Sequence, residues 1–207
     1  MNRQITIEAY NNNAGKYASL FMDFKSYKEK MSRFQHNYLP KKAYILDVGC
    51  GPGNNAQFLA GIDDSYKIEG FDLSVEMINI AKLNVPGGNF WVQDITDIKP
   101  DKKYDAIIAS FCIVHLSNEE TISFVQKISK MLNEKGTLYL SFMEGKKAGI
   151  ETTSFSDDYI FFNYYERNKI KKLLAENSIK TVEMLDDDYQ EEDGSITKDV
   201  FIFAQYG

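Results

Sequence analysis

Ala43-Tyr44-Ile45-Leu46-Asp47-Val48-Gly49-Cys50-Gly51-Pro52-Gly53 is an apolar run that ends in an acid and three alternating glycines. It predicts a buried strand running into a ligand-binding turn. Glycine is needed where the backbone takes φ > 0 or comes within contact distance of a ligand, because a Cβ would clash there. A plain turn has no use for three of them at alternate positions. The helix expected from about Asn54 through Gln57-Phe58-Leu59-Ala60 points its unpaired N–H groups back at this turn and favours a ligand with an anionic group. The stretch marks a cofactor site.

Around it lie 207 residues with a net charge of −6, enough for one sizeable domain with a full core. The charge argues against a dedicated nucleic-acid binder, which carries a basic patch or stripe, and favours small-molecule or protein substrates. Cys50 and Cys112 lack the paired spacing of a zinc site and are too few for a disulfide framework, so a reducing cytoplasm is the expected setting. Met1 to Ile5 has no long apolar region, and Ala106 to Val114 is far short of a membrane span. A soluble, untargeted chain with no metal and no membrane partner is expected.

Further acids close the strands downstream. Tyr66-Lys67-Ile68-Glu69-Gly70-Phe71-Asp72 alternates polar and apolar residues and ends on an acid, and Gly88-Asn89-Phe90-Trp91-Val92-Gln93-Asp94-Ile95 ends on another. Asp47 and Asp72 are separated by the length of a helix, a loop and a strand. They therefore belong at the carboxyl ends of adjacent strands, where open α/β sheets bind ligands. An acid there can accept bonds from both hydroxyls of a ribose, so Asp72 points to an adenosine cofactor without choosing which. Its alternative role, capping the next helix, is available to Ser74 instead. The dinucleotide fingerprint is G-x-G-x-x-G, but here the third dinucleotide glycine is Asn54. Asp47 before the turn would repel a pyrophosphate and attract an ammonium or sulfonium group.

The run Asp47-Val48-Gly49-Cys50-Gly51-Pro52-Gly53 resembles the first motif of the class I, Rossmann-like methyltransferases that use S-adenosylmethionine. The resemblance implies that Gly49, Cys50, Gly51 and Gly53 fit the backbone around the cofactor and that Asp47 serves its cationic portion. It places Asp72 and Leu73 at the ribose, and Asp94 and the Ile95 N–H at the adenine. Met77 either flanks the adenine or is simply core. Lys103-Tyr104-Asp105-Ala106-Ile107-Ile108-Ala109-Ser110-Phe111 reads as a strand buried on both faces. The following Phe111-x-x-x-His115-Leu116 resembles the family segment that lines the methionine end of the cofactor. His115 is either a general base near the transferred methyl or a loop histidine bonded to backbone. Tyr10, Ala14 and Tyr17 match a Tyr-x-x-x-Ala-x-x-Tyr opening that in many small-molecule members closes over the cofactor. The two tyrosines share a helix face, so Tyr17 joins the cofactor-binding set unless the pair only packs the cap onto the core.

The implied fold is α/β, a doubly wound, mostly parallel seven-stranded sheet in the order 3-2-1-4-5-7-6 with the last strand antiparallel. Residues 1–40 form a helical cap closed off by Pro40, and residues 41–143 the cofactor-binding core. Residues 144–165 carry Phe155, Tyr159, Phe161, Phe162, Tyr164 and Tyr165 and form either the lid of an apolar substrate pocket or a β-rich insertion on the sheet edge. Residues 166–207 supply a helix and a hairpin turning at Glu191-Glu192-Asp193-Gly194-Ser195. The implied function is methyl transfer from S-adenosylmethionine to a small molecule. Two alternatives stay open: a methyltransferase-like binding module without turnover, and a nicotinamide-dependent oxidoreductase.

Overall fold

A computed structural model of the chain describes residues 2–153, 155–190, 194 and 196–207. Of the expected hairpin turn and its acids, Glu191, Glu192, Asp193 and Ser195 lie outside the described residues. The helices are α1 (Asn2–Phe21), α2 (Lys25–Tyr38), α3 (Asn54–Ile62), α4 (Val75–Asn84), α5 (Asn118–Ser129) and α6 (Arg167–Glu176). The strands are β1 (Tyr44–Val48), β2 (Lys67–Asp72), β3 (Asn89–Val92), β4 (Tyr104–Ser110), β5 (Leu132–Glu144), β6 (Gly149–Thr153), β7 (Ser156–Phe162), β8 (Ile179–Gln190) and β9 (Ile196–Tyr206). No described helix is long and apolar enough to cross a membrane.

Seven strands form one sheet in the order β3-β2-β1-β4-β5-β9-β8. β1 to β5 run parallel, and β9 is antiparallel to both β5 and β8. This is the expected order, renumbered because the insertion contributes two strands of its own. Those two, β6 and β7, pair with each other in a separate antiparallel sheet.

Alternation along the strands builds two cores, one on each face of the pleat. Leu46, Val48, Ile107, Ala109, Leu138 and Leu140 meet Phe124, Val125 and Ile128 of α5 and Ile170 and Leu174 of α6. Ile45, Ala106, Ile108, Tyr139, Phe201 and Phe203 meet Met31 and Phe34 of α2, Leu59 of α3 and Ile78 of α4. Covering both faces is what lets the central strands be continuous apolar runs. Helix α5 begins on a reciprocal capping box: Ser117 Oγ accepts from Glu120 N, and Glu120 Oε2 accepts from Ser117 N.

The insertion does not lie on the sheet edge, as one of the two sequence readings had it. Its strand β7 packs on α1: Phe161 N donates to Thr6 Oγ1 at 3.1 Å, and Asn13 Nδ2 donates to Ser156 Oγ at 2.9 Å. The ring of Phe155 stacks on Tyr10 with centroids 5.4 Å apart. Helix α1 and the hairpin together form a cover over the carboxyl ends of β1, β2 and β4.

Candidate functional site

The strand order reverses between β1 and β4, which opens a crevice at their carboxyl ends. Out of β1 the chain turns with φ of 62° at Gly49, 52° at Gly51 and 83° at Gly53, a left-handed series that side chains other than glycine disfavour. At Gly49 an added Cβ would also lie 2.5 Å from Cβ of Cys112, so the turn and the segment after β4 touch through a missing side chain. Phe111 takes the same unfavourable region at φ 51°. Its N–H is held by the backbone oxygen of Ser141 at 3.2 Å and by Ser141 Oγ at 3.0 Å.

A cavity of about 110 Å³ fills the crevice. Its wall includes Tyr17, Gly49, Gly51, Asp72, Leu73, Met77, Asp94, Ile95, Phe111 and His115. Among the residues expected from sequence, Asp47, Cys50 and Gly53 are not on that wall. Gly53 instead packs against Ala81 of α4 and opens α3. The wall also holds Arg3, Thr6, Ile7, Tyr10 and Gln93. Tyr10 belongs to the opening segment that the family resemblance places over the cofactor, whereas nothing in the sequence of α1 marks Arg3, Thr6 or Ile7. Gln93 could have been found from its place beside Asp94.

The three strand-closing acids sit in different electrostatic settings. Asp72 Oδ2 accepts from Gly51 N and Oδ1 from Ser74 N, each at 2.9 Å, which ties the glycine turn to the end of β2. Burial raises its pKa while these bonds oppose the rise. Ser74 Oγ caps α4 by accepting from Met77 N and donates to Asn11 Oδ1 of α1 at 2.6 Å. Asp94 is engaged on both oxygens: Oδ1 accepts from Thr96 N and Oγ1, and Oδ2 from Arg3 at 3.0 Å. Arg3 also pairs with Glu120.

Asp47 is different. Its carboxyl is fully buried, and neither oxygen has a hydrogen-bond partner. Burial, with the neighbouring Asp72 charge adding to it, pushes its pKa up to about 8. A partnerless carboxyl under a glycine turn is satisfied either by a proton or by a cation delivered from the cavity above it.

His115 is bonded to backbone, the second of its two expected descriptions. Nδ1 lies 2.9 Å from the backbone oxygen of Phe161, which can only accept, so Nδ1 carries the proton. Nε2 is then the acceptor, and the Tyr10 hydroxyl donates to it at 3.0 Å. Burial pulls the His115 pKa down to about 4, so the ring is neutral at pH 7. Tyr10 and Tyr17 meet edge-on with centroids 5.7 Å apart, and burial pushes both phenols well above their ordinary value. Both stay protonated donors.

Residues 45–136 match the methyltransferase domain family. Among curated relatives, the chain is 30% identical over 148 residues to carboxy-S-adenosyl-L-methionine synthase of Campylobacter concisus, covering 67% of this chain and 63% of that one. It is 37% identical over 86 residues to malonyl-[acyl-carrier protein] O-methyltransferase 1 of Ilyobacter polytropus, covering 40% of this chain and 31% of that one. The chain thus spans less than two thirds of the length of these relatives. Magnesium protoporphyrin IX methyltransferase from Synechocystis PCC 6803, solved with bound S-adenosylmethionine, superimposes with a TM-score of 0.74 at 16% identity, over 100% of this chain and 98% of that one. A glycine turn followed by acid-closed strands, the reversed strand order and the matched domain agree, and the chain carries a methyltransferase domain on the fold of the class I, Rossmann-like, S-adenosylmethionine-dependent methyltransferases.

Proposed function

We propose that the chain binds S-adenosylmethionine in the crevice and transfers its methyl group to a small-molecule acceptor. The observation that carries this reading is Asp47, a buried carboxyl without a partner directly beneath the glycine turn. A dinucleotide would bring a pyrophosphate to that turn and gain nothing from such an acid. Bound there, S-adenosylmethionine would supply an ammonium group, a ribose diol, an adenine edge and a methyl group on positively charged sulfur. Asp47 would hold the cationic end and Asp72 the ribose hydroxyls. Asp94 keeps acceptor capacity on Oδ2 beside Arg3, which with the Ile95 N–H suits an adenine edge. Gly49 and Gly51 let the backbone approach.

Methyl transfer asks the protein mainly for alignment and exclusion of water, worth up to about 7–11 kcal/mol by effective molarity. Tyr10 and Tyr17, backed by Phe155, form the dry wall over the cavity. His115 holds the Tyr10 hydroxyl in place by accepting its proton, so that the phenol oxygen faces an acceptor with its lone pairs. A ring that binds a second proton only near pH 4 orients the phenol. It becomes a general base only for an acceptor that must lose a proton as it reacts.

Calorimetry tests the proposal. S-adenosylhomocysteine is expected to bind in the micromolar range and NADH not at all, and the reverse result would overturn it. Asp72→Ala is expected to weaken S-adenosylhomocysteine binding about tenfold or more, the loss of roughly 1.4 kcal/mol. Unchanged affinity would remove Asp72 from the ribose. Methyl-labelled cofactor incubated with a metabolite extract distinguishes an enzyme from a binding module, since a module would bind cofactor and label nothing.

A further inference from the structure

Behind the cofactor cavity lies a second one of about 130 Å³. The two share Tyr10, Tyr17 and Phe111, so those three rings are the partition across which a methyl group would pass. An apolar cavity of roughly this size accepts a benzene ring. On the far side of the partition stand the rings of Phe21, Tyr27, Phe155, Phe162, Tyr164 and Tyr189.

The charged groups set into this aromatic wall are both carboxylates, Glu151 and Asp199. Asp199, 4% exposed, accepts from the Tyr27 hydroxyl at 2.8 Å. Glu151 accepts from the Tyr164 hydroxyl at 3.1 Å and meets Lys146 at 3.5 Å. Thr153 Oγ1 is buried on the same wall without a partner. Among the described residues no lysine, arginine or histidine lines this cavity. The neighbouring acids Asp186, Asp187 and Asp188 are paired with Arg167, Lys30 and Lys198.

Resting on the methyl-transfer reading, we infer that this second cavity is the acceptor site and that it selects a flat, apolar molecule bearing a cationic or protonatable nitrogen. Aromatic faces attract a nitrogen cation through the ring quadrupole, and two carboxylates at the wall neutralise it. A carboxylate or phosphate acceptor would face the like charge of Asp199 and that of Glu151, whose counter-ion Lys146 does not line the cavity. For an amine acceptor the ammonium gives one proton to a lining carboxylate and through it to water. The freed lone pair then forms the N–C bond, and the electron pair of the broken C–S bond stays on sulfur.

The test is calorimetry on the full chain saturated with S-adenosylhomocysteine, using three probes: benzyltrimethylammonium, its neutral isostere neopentylbenzene, and the anion phenylacetate. The cation is expected to bind at least about tenfold more tightly than the isostere, with phenylacetate weakest. Asp199→Asn and Glu151→Gln are each expected to reduce the preference at least about threefold while S-adenosylhomocysteine affinity, which reports the fold, stays unchanged. Equal or tighter binding of the isostere or the anion overturns the inference, and this comparison needs only the unmutated protein. Variants that bind S-adenosylhomocysteine normally and keep the full preference overturn it as well. Absence of S-adenosylhomocysteine binding would instead strike the methyl-transfer reading, and the three-probe comparison on the ligand-free chain would still score the cavity.

Discussion

Asp47 is the residue on which the cofactor reading turns, and its pKa makes the reading measurable. With the folded-state pKa raised to about 8, the folded chain keeps a proton that the unfolded chain releases near pH 4. The contribution of this group to stability is therefore full below about pH 4, declines as pH rises to about 8, and is flat above that. Asp47→Asn removes the decline. At pH 8 the ligand-free variant is expected to melt at least about 2–4 °C higher, the shift that one kcal/mol gives in a chain of this size, and near pH 4 the difference should vanish. The same variant should bind S-adenosylhomocysteine about tenfold more weakly or worse. At pH 7 the unmutated chain should release close to one proton as it binds, read by calorimetry in buffers of differing ionisation enthalpy. Stabilisation without loss of affinity would make Asp47 an accident of burial. That an acid belongs at this position is legible in the sequence, but its full burial beneath the turn, off the cavity wall, is not. Strand alternation puts Leu46 and Val48 in the core on the α5 side, so Asp47 points to the other face with Ile45, beneath the turn.

Between single residues and the whole chain stands the cover built from α1, β6 and β7. Phe155 joins them: it is 4% exposed and lies 5.4 Å from Tyr10, 5.0 Å from Tyr17 and 6.3 Å from Phe21, centroid to centroid. Phe155→Ala is expected to cost about 3–5 kcal/mol, as for a buried ring, measured by urea denaturation, and to raise KM for cofactor and acceptor together. Tyr10→Phe removes only the bond to His115 and is expected to lower kcat about tenfold at unchanged cofactor affinity, the worth of one hydrogen bond of about 1.4 kcal/mol. An unchanged kcat would leave the pair a packing contact. The helices of the cap are legible because residues 8–38 lack β-branched runs and Pro40 ends them. The aromatic wealth of the insertion is legible too. Its partner is not, because Asn13 and Ser156 meet across 143 positions of sequence and neither residue carries a local signal for the other. The second cavity is hidden for the same reason, since its wall draws on α1, α2, the insertion, β8 and β9.

At the scale of the whole molecule the sheet and its cover are held by different means. The sheet is sandwiched between two apolar cores, and its strand order follows from signals that repeat along the chain: an apolar run, a closing acid and a capped helix. The cover has no such redundancy. Among the described residues β6 and β7 pair only with each other, and a lone two-stranded hairpin is marginal in water. It persists here through α1, by the bonds from Phe161 to Thr6 and from Asn13 to Ser156 and the stack of Phe155 on Tyr10. Helix α1 in turn reaches the cofactor strands through Arg3 with Asp94 and Asn11 with Ser74. The two should therefore open as one unit, well below the free energy of global unfolding. Hydrogen exchange on the ligand-free chain is expected to show the amides of α1 and of 149–162 exchanging at a common rate, much faster than those of β1, β4 and β5. Adding S-adenosylhomocysteine should slow both sets by the same factor, because the ligand lies beneath both. Protection of α1 alone, or a hairpin already as slow as β4 without ligand, would show that α1 and the hairpin do not open as one unit.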